Sequence, residues 1–209
     1  MNNITFDTEG KVKTKKEDIE WLRIWCEETN DSLPRVALIG DSITEGYFRF
    51  VQKALEGVAR VDVLMTSYSI ESAMYRKSVK AFIDDSDYAV VHYNYGLHAY
   101  NVEDACYEQG CREMIAYFLN RSKTVIGTST TVLNDDLQAE SLYWKDKVRS
   151  RNERLLAIAR DMGLSVDDLN AVSHHLAGEN RAPDGVHFSE KGYKALAKSV
   201  VESIQKVLK

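Results

Sequence analysis

The chain has 209 residues, 44% of them hydrophobic and 28% charged, with a formal net charge of −5. That length suits one domain with a sizeable core and is short for two. The acidic balance excludes the concentrated basic face that non-specific nucleic-acid binding needs, and no run approaches the roughly 18 apolar residues of a membrane span.

Taken in chain order, the N-terminal stretch MNNITFDTEGKVKTKKEDIE has no apolar core of a secretory signal. Its basic cluster, Lys11 to Lys16, reads as a solvated helix entry. Thr14 and Glu17 have capping-box spacing, and Ile19, Leu22 and Cys26 continue a helical stripe, so a helix is expected in an N-terminal extension over residues 1–33. Arg35 to Gly40 (RVALIG) is a continuous apolar strand of the kind buried on both faces of a parallel sheet. A helix over Thr44–Leu55, a strand over Arg60–Thr66 and a helix over Glu71–Phe82 follow. Tyr88–Asn94 is a third strand, with a helix near Glu103–Leu119, and Lys123 begins a fourth. Trp144, Val148, Leu155, Ala159 and Met162 line one face of a long helix that Gly163 can terminate. Ser165 to Leu169 reads as a short fifth strand. The last helix takes Ser189 as N-cap and buries Leu196, Val200, Ile204 and Val207.

This alternation predicts a single α/β domain over residues 1–209: a three-layer sandwich, with a parallel sheet of about five strands and helices on both faces. Ligands of such sheets bind beyond the carboxyl ends of the strands. Chemistry is therefore expected just after Ile39, Thr66, Asn94 and Thr130. Three cysteines, Cys26, Cys106 and Cys111, form no CxxC and read as reduced thiols, and a cytoplasmic location is expected.

Ser42 lies in VALIGDSITEGY, two residues past the first apolar strand and at the start of a helix. Gly40 allows a sharp turn there, and the free N–H groups of the helix start suit a nucleophile whose product is an oxyanion. Ser42 or Thr44 also reads simply as an N-cap. The α/β-hydrolase elbow and the phosphate-binding glycine loops are absent. The second element is PDGVHF, just before the last helix. Asp184, three residues ahead of His187, can bend back to hold imidazole Nδ1–H while Nε2 faces outward, as an orienting acid and a general base require. The plainer alternative is an Asp-Gly turn followed by a helix-capping histidine.

GDSITEGY and DGVHFSEKGY together resemble the first and last blocks of the SGNH hydrolases, the GDSL esterases and lipases, over roughly residues 34 to 209. The resemblance implies the SGNH, flavodoxin-like fold and a catalytic triad of Ser42, His187 and Asp184. The middle blocks depart from the family pattern. Ser69 stands where the family has a glycine whose backbone N–H joins the oxyanion hole. His98 stands at the place of the family asparagine, with Ala99 after it, and Asn94 is an alternative donor. The expected oxyanion hole is thus Ser42, Ser69 and either His98 or Asn94. The GLH variant, with Thr130, Thr131, Arg151 and Asn152, is similar to a branch resembling carbohydrate acetylesterases. Tyr68, Tyr93, Tyr95 and Tyr100 flank the site, while His92, His174 and His175 read as structural or surface residues and no metal set is seen.

The expected function is a serine esterase that removes small acyl groups, acetyl above all, from a small-molecule ester such as an acetylated sugar. No cofactor or metal is expected, and neither nucleic acid nor membrane is expected as a partner. An acyltransferase using the same triad, and a ligand-binding protein that has lost catalysis, are the alternatives.

Overall fold

The computed structural model describes Glu9 and residues 16–28, 32–99, 101–130 and 139–209, with side chains of 139–144 excepted. Six strands, β1 (Leu22–Trp25), β2 (Arg35–Gly40), β3 (Arg60–Thr66), β4 (Tyr88–Asn94), β5 (Lys123–Gly127) and β6 (Ser165–Asp167), form one sheet. Its helices are α1 (Ser42–Ala54), α2 (Ala73–Asp84), α3 (Asp104–Leu119), α4 (Ala139–Met162), α5 (Leu169–His174) and α6 (Glu190–Leu208). The strand order is β1-β3-β2-β4-β5-β6, with β2 to β6 parallel.

Two cores explain the unbroken apolar strands. Alternate residues of one strand point to opposite faces, so Val36 and Leu38 join one cluster while Ala37 and Ile39 join the other. The first face is covered by Ile43, Tyr47 and Val51 of α1 and Leu196, Val200 and Ile204 of α6. Tyr75 and Val79 of α2, Met114 and Phe118 of α3, and Leu155 and Ile158 of α4 cover the second. The α/β sandwich expected from the alternation of elements is the observed one. Val207 of α6 is only partly buried.

The N-terminal extension corrects the sequence reading. Ile19, Leu22 and Cys26 do not form a helical stripe: Leu22–Trp25 is a strand, antiparallel to β3, with Leu22 opposite Thr66 and Trp25 opposite Val63. Ile19 is 75% exposed and Cys26 is exposed, so a helix there would have had no apolar seat. The outer edge of β3 offers unpaired N–H and C=O groups instead, and pairing satisfies them. Thr14 of the expected capping box, most of the basic cluster, Tyr100, Thr131 and the Trp144 side chain lie outside the described residues.

β2 pairs β3 on one side and β4 on the other. The chain leaving β2 turns one way and the chain entering β4 has crossed to the other side, so a crevice opens above the carboxyl ends of β2 and β4. This is the topological switch point at which open α/β sheets bind ligands.

Candidate active site

Ser42 stands at that crevice as the first residue of α1. The N-cap is neither Ser42 nor Thr44 but Asp41, whose Oδ1 accepts from Ile43 N–H at 2.9 Å. Capping by the neighbour leaves the Ser42 hydroxyl free for another partner, and Thr44 Oγ1 is engaged by Tyr47 Oη at 3.0 Å. Asp41 is fully buried, and its Oδ2 has no hydrogen-bond partner among the described residues. Burial pushes its carboxyl above the usual range, against the pull of the His98 charge. Gly40 is required by packing more than by torsion: a Cβ there would come within 1.9 Å of Thr44 Oγ1 and 3.0 Å of the Asn94 carbonyl.

The loop before α6 brings the other two residues to Ser42. His187 Nε2 lies 2.9 Å from Ser42 Oγ, and His187 Nδ1 lies 2.6 Å from Asp184 Oδ2. Asp184 Oδ1 accepts from the backbone N–H groups of Val186 at 2.9 Å and His187 at 2.8 Å. One carboxylate thus folds its own loop and orients the ring. Burial would raise the Asp184 pKa, but the His187 and backbone hydrogen bonds outweigh it and hold the carboxyl below its ordinary value. Gly185, at φ 72°, makes the turn between them in a region that favours glycine. Ser189 caps α6 directly behind the loop, as its sequence position suggests.

Two further loops bound the crevice. In the first, after β3, Ser69 is buried and its φ is not positive, so a non-glycine residue sits there without left-handed strain. Its carbonyl accepts from Ser72 N–H at 2.8 Å and its Oγ from Glu71 N–H at 3.3 Å, while among the described residues nothing takes its own N–H.

In the second, after β4, Asn94 is buried and spends one amide N–H on the Thr128 carbonyl at 3.3 Å. His98 Nδ1 lies 2.7 Å from Glu17 Oε2, and Ala99, with φ at 58°, donates its N–H to Glu17 Oε1 at 2.7 Å. On the other side of this loop Arg151 is wholly buried and donates to the carbonyls of Gly96 (2.9 Å), His98 and Ala99, with its guanidinium 4.6 Å from the Tyr107 ring centre. Asn152 closes on Ser129, accepting from its N–H at 2.8 Å and donating to its carbonyl at 2.9 Å.

Of the aromatic residues flagged from sequence, Tyr93 and Tyr95 are fully buried core residues, and Tyr68 is half-buried. His92 is also buried and pairs with Asp167 at 3.0 Å, whereas His174 and His175 are exposed. A cavity of about 930 Å³ is lined by Asn152, Asn170, Leu176, Arg181, Pro183 and Gly185 among others, and not by Ser42, Asp184 or His187. Sequence reasoning gave Glu17 only a place in a capping box and missed its contacts with His98 and Ala99. It named Arg151 only within the resemblance to the acetylesterase branch and missed the clamp that this residue makes on the loop.

No family model matches the sequence, and no curated protein does. Solved structures do. A lipase/acylhydrolase from Enterococcus faecalis is 19% identical over 83% of this chain and 96% of its own, with a TM-score of 0.68. A GDSL-like lipase from Bacteroides thetaiotaomicron is 19% identical over 82% of this chain and 88% of its own, at a TM-score of 0.65. An acetylxylan esterase from Geobacillus stearothermophilus is 16% identical over 82% of this chain and 94% of its own, at 0.66. At these identities the likeness establishes that the chain has the fold of the SGNH and GDSL hydrolases. Among the described residues, no helix is long and apolar enough to cross a membrane.

Proposed function

We propose that this protein is a serine esterase that hydrolyses carboxylic esters through Ser42, His187 and Asp184. The observation that carries the reading is the hydrogen-bonded series Ser42 Oγ, His187 Nε2, His187 Nδ1, Asp184 Oδ2, at 2.9 and 2.6 Å, at the switch point of the sheet. Three solved structures of like fold are described as a lipase/acylhydrolase, a GDSL-like lipase and an acetylxylan esterase.

In this mechanism Asp184 accepts Nδ1–H and so leaves Nε2 of neutral His187 as the base facing Ser42. Ser42 Oγ attacks the ester carbonyl as its proton passes to Nε2. The tetrahedral oxyanion is stabilised by the backbone N–H groups of Ser42 and Ser69 and by a third donor, His98 or Asn94. Collapse returns the proton from His187 to the departing alkoxide, and water then releases the acyl group by the same route. The chemistry needs no cofactor.

The substrate we favour is a small acyl ester, acetyl on a sugar. The acetylxylan esterase neighbour supports it. The three cysteines are free thiols, in keeping with the cytoplasmic location we assign. The test is turnover of p-nitrophenyl acetate and of acetylated xylo-oligosaccharides, with labelling by a serine-directed fluorophosphonate. Turnover and labelling should both vanish in Ser42→Ala. Undiminished cleavage by that variant would overturn the assignment.

A further inference from the structure

Glu17 meets the β4–α3 loop at two points, His98 Nδ1 and Ala99 N–H, each at 2.7 Å. A neutral imidazole carries one N–H. With the Glu17 carboxylate accepting at Nδ1, that single proton resides there, and Nε2 of the neutral ring is a lone pair that would repel an oxyanion. His98 can donate from Nε2 only if the ring carries both protons. We propose that Glu17 is a positioning residue for the reaction: it holds His98 as an imidazolium whose Nε2–H serves the oxyanion. The inference rests on the esterase reading and selects His98 over Asn94 as the third donor.

Several groups face this ring. Glu17 and Glu20 come from the N-terminal segment, Asp41 from the start of α1, and His187 shares Asp41 from the loop before α6. Arg151 of α4 approaches through the carbonyls of the same loop, and the Trp21 ring stands edge-on at 6.3 Å. Burial opposes the charged ring, but the Glu17 hydrogen bond and the charges of Asp41, Glu17 and Glu20 outweigh it and raise the His98 pKa. No described residue takes Nε2, and the side chain keeps 18% exposure, so this nitrogen remains available to a ligand.

The consequence is a falling limb at high pH: turnover requires His98 charged, so the rate falls as His98 loses its proton. An asparagine in the same place would give no falling limb, because an amide does not titrate.

The experiment uses the full chain with ¹⁵N-labelled histidine, of which there are five. The ring signal of His98 is identified by its loss in His98→Asn. In the wild type it should titrate above the ordinary value of about 6.5, and Glu17→Gln should move it down by about one unit or more, the loss of an adjacent opposite charge. With p-nitrophenyl acetate, Glu17→Gln should lower kcat by about 10-fold with little change in KM, part of the roughly 10²-fold that a lost oxyanion donor costs. It should also shift the falling limb to lower pH. His98→Asn should abolish that limb while Ser42-dependent turnover persists.

A His98 midpoint at or below the ordinary value, one unmoved by Glu17→Gln, or a falling limb that survives His98→Asn would each overturn the inference. Those failures, with Ser42 still labelled by fluorophosphonate, would leave the esterase reading standing. Absence of labelling and of turnover in the wild type would sink both.

Discussion

His187 Nε2 lies 2.9 Å from Ser42 Oγ although 145 positions separate the two residues in the chain. The contact exists because α1 and α6 pack side by side on one face of the sheet, through Ile43, Tyr47 and Val51 against Leu196, Val200 and Ile204. The N-terminus of α1 carries Ser42, and the loop entering α6 carries Asp184 and His187. A core contact between two helices therefore sets the geometry of the exposed site.

Removing either end of the pair should abolish the chemistry and spare the fold. Ser42→Ala and His187→Ala are each expected to reduce kcat for p-nitrophenyl acetate by about 10³-fold or more, with the melting temperature nearly unchanged. Asp184→Asn should cost less than His187→Ala if the acid mainly orients the ring. Equal losses in all three would assign Asp184 more than orientation.

Stability should depend on pH through His98 and Asp184 in opposite directions. The folded-state pKa of His98 is raised, so the Glu17–His98 pair contributes fully below the unfolded value of about 6.5 and is lost as pH rises through the folded one. Glu17→Gln should therefore lower the unfolding free energy, read from urea titration, more at about pH 6 than at about pH 9, by an amount on the order of 1 kcal/mol. The pKa of Asp184 is lowered, so its contribution is present above about pH 4 and lost as pH falls through the folded value. The stability gap between wild type and Asp184→Asn should close in acid. A gap at Glu17 that widens with pH would contradict the assigned direction.

Gly40→Ala should damage both stability and rate. The new Cβ would fall 1.9 Å from Thr44 Oγ1 and 3.0 Å from the Asn94 carbonyl, so the start of α1 must shift. Overpacking of this kind costs about 1–3 kcal/mol, and the shift carries Ser42 away from His187. Chemical denaturation and kcat, measured together, test it. A variant with unchanged stability would show that the turn yields freely.

Arg151 should tolerate no replacement. It holds three carbonyls of the loop that carries His98, from a fully buried position over Tyr107. Arg151→Lys retains the charge but not the planar fork, so it cannot serve the three acceptors in the same geometry. Arg151→Met would leave the three carbonyls without their donor, a loss of about 1–3 kcal/mol for each buried group left unpaired. Both variants should melt lower than the wild type and lose kcat before they unfold, as read from melting curves and from turnover below the transition.

The sequence by itself determined what is local or periodic. RVALIG, RVDVLMT and YAVVHYN are strands because a strand apolar at every position is stable only with both faces covered, and that demand also implies the flanking helices. Ser189 capped the last helix, and Asp184 could reach His187 within one turn of its own loop, because three residues of chain suffice. Tertiary structure decided whatever depended on a distant partner. The segment around Leu22 had the spacing of a helix but became an edge strand, since the open edge of β3 offered backbone partners that no local pattern records. Asp41 displaced Ser42 and Thr44 as the cap of α1, a choice among three polar residues within four positions that only the packed turn resolves. In the sequence Glu17 carries only capping-box spacing, and Arg151 only the resemblance to the acetylesterase branch. Each became part of the site because opposite sides of one loop, 96–99, needed an acceptor and a donor, and the fold brought them from 81 and 55 positions away.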